Sequence, residues 1–140
     1  MVTGLNHVTL SVANLDRAFR FYTEALGMRP VARWYKGAYL AAGDLWLCLT
    51  LESDLPSRLP SPTYDHIAFS ASESDFHPLC SRLLSAGAQC WQANRSEGDS
   101  FYFLDPDGHK LEVHVSDLRS RIESLKQNSP ADLVLFEAAD

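Results

Sequence analysis

The feature that most constrains this chain is that it says nearly the same thing twice. Asn6-His7-Val8-Thr9-Leu10-Ser11-Val12 is echoed fifty-nine residues later by Asp65-His66-Ile67-Ala68-Phe69-Ser70-Ala71. Each copy alternates apolar and polar residues, the pattern of a half-buried strand, and carries a histidine at its start. Each is followed by a helical pattern. Ala18, Phe19, Phe21, Tyr22, Ala25 and Leu26 recur at helical spacing after Asn14 or Asp16, either a suitable N-cap, and Gly27 stands where a C-terminal glycine belongs. Phe76, Leu79, Cys80, Leu83 and Leu84 repeat the pattern before Gly87. Strand-like segments then follow in both copies. Arg33–Leu40 and Leu45–Leu51 are read as a hairpin about Ala42-Gly43-Asp44, with Ser100–Leu104 and His109–Val115 as its counterpart about Pro106-Asp107-Gly108.

The chain is therefore expected to form two βαβββ units, 1–52 and 64–116, within one α+β domain spanning 1–140. Residues 52–63, rich in Pro and Ser, serve as connector. A closing helix is expected over Asp117–Gln127, and Leu133–Phe136 is apolar enough to dock on something. Two small curved sheets, each with one helix, bury their apolar faces together and leave a concave polar face free.

Composition narrows the function classes. A net charge of −6 and the absence of a Lys/Arg cluster argue against nucleic acid. No run approaches the roughly 18 to 20 apolar residues of a membrane span. The N-terminus lacks the basic region and cleavage site of a secretory signal. Three cysteines, Cys48, Cys80 and Cys90, have no paired spacing and suit reduced thiols. A soluble cytoplasmic protein is the expectation.

Alternation also assigns faces. His7, Thr9 and Ser11 share one side of the first strand, His66, Ala68 and Ser70 one side of its repeat, and Glu112 and His114 one side of the last strand. With these sides lining the cavity, two imidazoles and a carboxylate meet there, a donor set that suits Mn²⁺ or Fe²⁺ and leaves coordination positions open. The competing reading is structural: both histidines bonded to backbone, and Glu112 paired with Lys110 or an arginine. The pattern alone does not separate the two. The first unit has no acid before Glu52 in its last strand, so its own version of the site lacks a carboxylate.

The segments LNHVTLSVANL (5–15), ARW (32–34), GAYL (37–40), GDLWLCL (43–49), NRSEGDSFYFLDPDGHKLEVHV (94–115) and DLRSR (117–121) resemble, over nearly the whole chain, the FosA-type fosfomycin-resistance glutathione transferases of the vicinal oxygen chelate superfamily. The resemblance implies paired βαβββ units and glutathione transfer to the epoxide of fosfomycin. It implies a Mn²⁺ site of His7, His66 and Glu112, shared across a homodimer with the first histidine from one chain and the other two ligands from its partner. It further implies a K⁺ loop through Asn94, Ser96, Gly98 and Ser100. Thr9, Tyr102 and Arg121 match catalytic or substrate-contacting positions. Trp46, Tyr39, Gln92, Ser96 and Ser100 fall at other substrate-binding positions. Such a site carries a local charge of about +1, which suits a dianionic phosphonate.

Three departures mark the pocket. Gln92 stands where relatives carry a lysine, with Lys36 or Arg95 as candidates to compensate for the lost charge. Ile67 replaces a tyrosine, and Ser129-Pro130-Ala131 replaces a Pro-Tyr segment. Alternatives are a related enzyme acting on another small phosphonate or epoxide, and a non-catalytic drug-sequestering protein. His114 is expected to support Glu112 from behind, His77 and His109 to lie on the surface, and Cys48 to approach the cavity.

Overall fold

A computed structural model describes residues 1–55 and 60–136. Part of the expected connector, Pro56–Leu59, lies outside the described residues. The order is β1 (Val8–Val12), α1 (Leu15–Arg20) running into a π-helical turn (Phe21–Ala25), β2 (Arg29–Trp34), β3 (Gly37–Ala42), β4 (Leu45–Leu51), β5 (Ile67–Ser70), α2 (Glu73–Ser85), β6 (Cys90–Gln92), β7 (Asp99–Leu104), β8 (Lys110–Val115) and α3 (Leu118–Gln127).

The helices begin and end where local chemistry directs. The side chains of Asn14, Ser72 and Asp117 accept hydrogen bonds from the amides of Arg17, Asp75 and Ser120, which satisfies donors with no intrahelical partner. Gly27, at φ 75°, turns the chain out of the first helix. One boundary differs from the sequence reading. Residues 33–40 are not one strand, because a turn at Tyr35-Lys36 divides them between β2 and β3.

Both sheets have the same strand order, β1-β4-β3-β2 and β5-β8-β7-β6. In each, the first and last strands of the unit pair in parallel and the remaining neighbours pair antiparallel. The register makes the repeat regular enough to compare single positions. Thr9 faces Cys48 across β1 and β4, as Ala68 faces Glu112 across β5 and β8. Tyr39 faces Cys48, as Tyr102 faces Glu112. Cys48 is thus the first unit's counterpart of Glu112.

Leu10, Val12, Ala38, Leu40, Leu47 and Leu49 from one sheet join Phe103, Leu111 and Val113 from the other in a common core with α1, α2 and the π-helical turn. Burying such side chains contributes roughly 1.5–3 kcal/mol each. The units are locked by the turn after β7. The Tyr22 hydroxyl donates to Asp105 at 2.6 Å, and the backbone amide of Ala13 and the Arg17 guanidinium donate to Asp107 at 2.9 and 3.1 Å. His109, expected on the surface, instead sits beside Asp105, its Nδ1 at 2.7 Å. Burial, reinforced by the charge and hydrogen bond of Asp105, pushes the Tyr22 phenol well above its ordinary value.

A phenol whose pKa is higher folded than unfolded keeps its proton longer in the native state, so its stabilisation is intact below about pH 10 and lost as pH rises further. The melting temperature is expected to fall as pH rises above about 10. Tyr22→Phe, less stable at neutral pH by about 1–2 kcal/mol, should show a shallower fall; an equal slope by calorimetry counts against this account.

The C-terminal region contributes little to the core of the single chain. Val134, Leu135 and Phe136 are exposed rather than docked. Likewise α3 buries no residue, and Leu118 lies open to solvent. Among the described residues, no helix is long and apolar enough to cross a membrane.

Candidate metal and substrate site

With the aliphatic residues committed to the core, the alternate positions of each sheet form a polar, aromatic face. On the second sheet this face holds His66, Glu112, Ser100, Tyr102 and His114. Glu112 is 5% exposed, so its charge requires partners. It has them: His66 Nε2 lies 2.9 Å from Oε1, and the Ser100 hydroxyl donates to Oε2 at 2.6 Å. The Ser100 oxygen also lies 2.5 Å from His114 Nδ1. Lys110 is not a partner of Glu112; its ammonium binds the Thr63 carbonyl and covers the Trp91 ring.

The donor geometry tests whether a cation fits. The carbonyl of Tyr64 can only accept, so His66 Nδ1 carries the proton it donates there at 2.7 Å. In a neutral ring, Nε2 then presents a lone pair to a carboxylate oxygen. Two acceptors in contact repel unless a proton or metal ion supplies positive charge between them. Imidazole and carboxylate together suit a divalent ion of the Mn²⁺ or Fe²⁺ type, so the pair fits the metal inferred from sequence.

His7 is prepared in the same way but stands elsewhere. Its Nδ1 donates to Asn6 Oδ1 at 2.6 Å, leaving Nε2 as the free nitrogen, and its ring packs 4.6 Å from Trp46. Among the described residues, no group of three or more His, Cys, Asp or Glu is placed to hold a metal. One chain thus joins two of the three inferred ligands. The third lies on the first sheet's polar face with Thr9, Tyr39, Trp46 and the buried Cys48; the Tyr39 and Trp46 rings meet edge to face at 5.2 Å.

The loop before β7 is built from its own side chains. Asn94 donates to the Gly98 carbonyl at 2.8 Å and accepts from the amide and hydroxyl of Ser96, each at 3.0 Å. Gly98 has φ 76°, and a Cβ there would lie 2.7 Å from the Val115 carbonyl. Gly98→Ala meets both backbone strain and a backbone clash. It is expected to destabilise the protein by about 1–3 kcal/mol and to displace Ser100 from Glu112; an unchanged denaturation midpoint would refute this.

Arg121 anchors α3 to this loop, its Nε donating to Glu97 at 3.2 Å, while Ser116 donates to the other Glu97 oxygen at 3.0 Å. Burial alone would raise the Glu97 carboxyl. The bonds from Ser116 and Arg121, with the charges of Arg121 and His114, outweigh it and hold the group below its ordinary value. Tyr102 is buried, its hydroxyl bonded to Ser96 and Tyr64. Burial first, then Tyr64 and the Glu112 charge, raise its phenol against the opposing bond with Ser96. Gln92 donates to the Tyr64 hydroxyl at 3.3 Å.

Three residues here escaped sequence reasoning. Glu97 was visible within the loop, but nothing local marked it as the anchor of Arg121. Tyr64 precedes the strand and has no alternation to place it. Trp91 is adjacent to Gln92, and simple alternation sends it to the opposite face.

A paired βαβββ fold with a His–Glu pair on its polar face defines a class, and the chain belongs to the Glyoxalase/Bleomycin resistance protein/Dioxygenase superfamily, whose family profile matches residues 4–113. Within it, the chain is 47% identical over 135 residues to a glutathione transferase FosA from Serratia marcescens, with 96% of each chain covered. It is 41% identical over 138 residues to a metallothiol transferase FosB from Shouchella clausii, covering 96% of this chain and 94% of that one. Among solved structures it resembles the fosfomycin resistance protein FosX from Mesorhizobium loti, at TM-score 0.73 and 30% identity over 87% of this chain and 99% of that one. It also resembles a mutant of FosX from Listeria monocytogenes complexed with Mn(II) and 1S,2S-dihydroxypropylphosphonic acid, at TM-score 0.74 and 26% identity over 88% and 99% of the two chains.

Proposed function

We propose that this protein inactivates fosfomycin by transferring glutathione to its epoxide. The observation that carries this reading is the end-to-end match to a glutathione transferase FosA, at 47% identity. The FosX complex supports it from the substrate side, since the phosphonic acid there carries two vicinal oxygens and accompanies Mn(II) on the same fold.

The finer assignments are ours. His66 and Glu112 of one subunit, with His7 of a second copy, would hold Mn²⁺ in a homodimer. A cation so held supplies Lewis acidity and a positive field for the phosphonate and epoxide oxygens. Glu112 is braced by Ser100, and each histidine keeps its Nδ1 proton engaged so that Nε2 is the nitrogen left for a cation. As sulfur bonds to an epoxide carbon and the C–O bond breaks, the freed oxygen gains charge and takes up a proton. The Thr9 hydroxyl is assigned to that oxygen. Arg121, with Nε bound to Glu97, offers its terminal nitrogens as a fork to the phosphonate, and Tyr102 orients the same group. Trp46 and Tyr39 form the apolar wall. Oxygens of Asn94, Ser96, Gly98 and Ser100 are assigned to K⁺. Gln92 hydrogen-bonds without supplying the charge of a lysine, and a cytoplasmic setting accords with reduced glutathione.

The test is mass analysis of products from fosfomycin and glutathione, with Mn²⁺ and K⁺ each present or omitted. The expected result is a Mn²⁺-dependent glutathione adduct stimulated by K⁺. A diol in place of the adduct, or turnover indifferent to chelation, would overturn the reading.

A further inference from the structure

Both units carry the same irregularity in the same place. The register of β2 on β3 shifts between Pro30 and Ala32, and that of β6 on β7 between Cys90 and Gln92. In each case one extra residue stands on the edge strand, Val31 in the first unit and Trp91 in the second. Such a bulge re-aims a side chain that strict alternation would send elsewhere. Val31 is 55% exposed. Trp91 instead packs against the His66 ring, with its indole bonded to the backbone beside Glu112.

Its ring centroid lies 5.4 Å from that of His66, 5.1 Å from Tyr102 and 5.9 Å from Tyr64, all steeply tilted. These are edge-to-face contacts, which resist ring rotation as well as burying area. The indole N–H donates at 3.0 Å to the carbonyl of Leu111, the residue preceding Glu112. The Lys110 ammonium covers the indole 4.8 Å from its centroid. A single side chain therefore touches the ring of one inferred ligand and the backbone beside the other. His66 needs such support: it precedes β5, and the strand pairing begins only at Ile67.

We propose that Trp91 is a positioning residue for the cation site, fixing the plane of the His66 ring against Glu112 and thereby setting affinity for the divalent ion. This rests on the reading of His66 and Glu112 as metal ligands. Without the indole, rotation of the ring about its Cβ–Cγ bond adds an ordering cost to metal binding, and outer supports of this kind are typically worth about 10- to 100-fold in affinity.

The experiment is calorimetric titration of the full chain with Mn²⁺ alone, for wild type, Trp91→Leu, Trp91→Phe and Val31→Ala. Trp91→Leu is expected to bind about 10- to 100-fold more weakly. Trp91→Phe, which keeps an aromatic edge but no N–H, should recover part of the loss, and Val31→Ala should bind as wild type. A merely structural role would not produce recovery by phenylalanine while the variants share one thermal unfolding profile. Undiminished binding by folded Trp91→Leu overturns the inference alone. Wild-type protein that takes up no Mn²⁺ overturns the ligand assignment with it. Should Trp91→Leu fail to fold, Lys110→Met carries the test with an expected loss of about threefold, and unchanged binding in both it and Trp91→Phe overturns the inference.

Discussion

Glu112→Ala is expected to lower glutathione transfer to fosfomycin on the order of a thousandfold and to abolish Mn²⁺ binding measurable by electron paramagnetic resonance. The carboxylate is buried, lies against His66 and accepts from Ser100, so alanine removes the proposed anionic ligand and the anchor of two neighbours together. His66→Ala should behave alike. Ser100→Ala should cost less, because it removes a support while both ligands remain. The variants must be compared by their unfolding curves as well as by rate. Removing Glu112 leaves the Ser100 hydroxyl and His66 Nε2 without their partner, so the apo protein is expected to lose about 1–3 kcal/mol of stability as well. A folded Glu112→Ala protein that retains wild-type turnover would eliminate the site as drawn.

Mixing two inactive variants is expected to restore activity. In the proposed homodimer, His7→Ala and Glu112→Ala proteins each lack one of the proposed ligands in both sites. In a mixed dimer with ligands drawn from both chains, the two lesions fall in the same site and the other site is intact. Random exchange at equal amounts makes half of the dimers mixed, so recovery of about a quarter of wild-type activity is expected. No recovery, despite subunit exchange verified by native mass spectrometry, would place all three ligands within one chain. Such a placement requires His7 to leave its contacts with Asn6 and Trp46.

Much of the fold was legible because it depends on short-range periodicity. Alternation in 7–12 and 66–71 placed the histidine-bearing faces, Asn14 and Gly27 bounded the first helix, and the Asp-Pro-Asp-Gly turn preceded the final strand. His66 and Glu112 came together as expected because parallel pairing of β5 with β8 puts neighbouring positions on one face. The long strand read across 33–40 failed because local β-propensity does not reveal a turn at Tyr35-Lys36. The exposed Val134–Phe136 segment shows the limit of hydrophobicity: apolar character says that a segment can be buried, not where a complementary surface lies.

The amino-acid pattern alone settled the duplication, the face on which each ligand candidate stands and the chemistry that such donors favour. Those properties follow from the two-residue period of a strand and the identity of its side chains. Tertiary structure alone decided that His66 and Glu112 meet while His7 stays apart, that Asp105 and Asp107 bind the units together, and that an extra residue turns Trp91 against the His66 ring. Each of these depends on register and on contacts between residues distant in the chain, and none is encoded by a single local stretch.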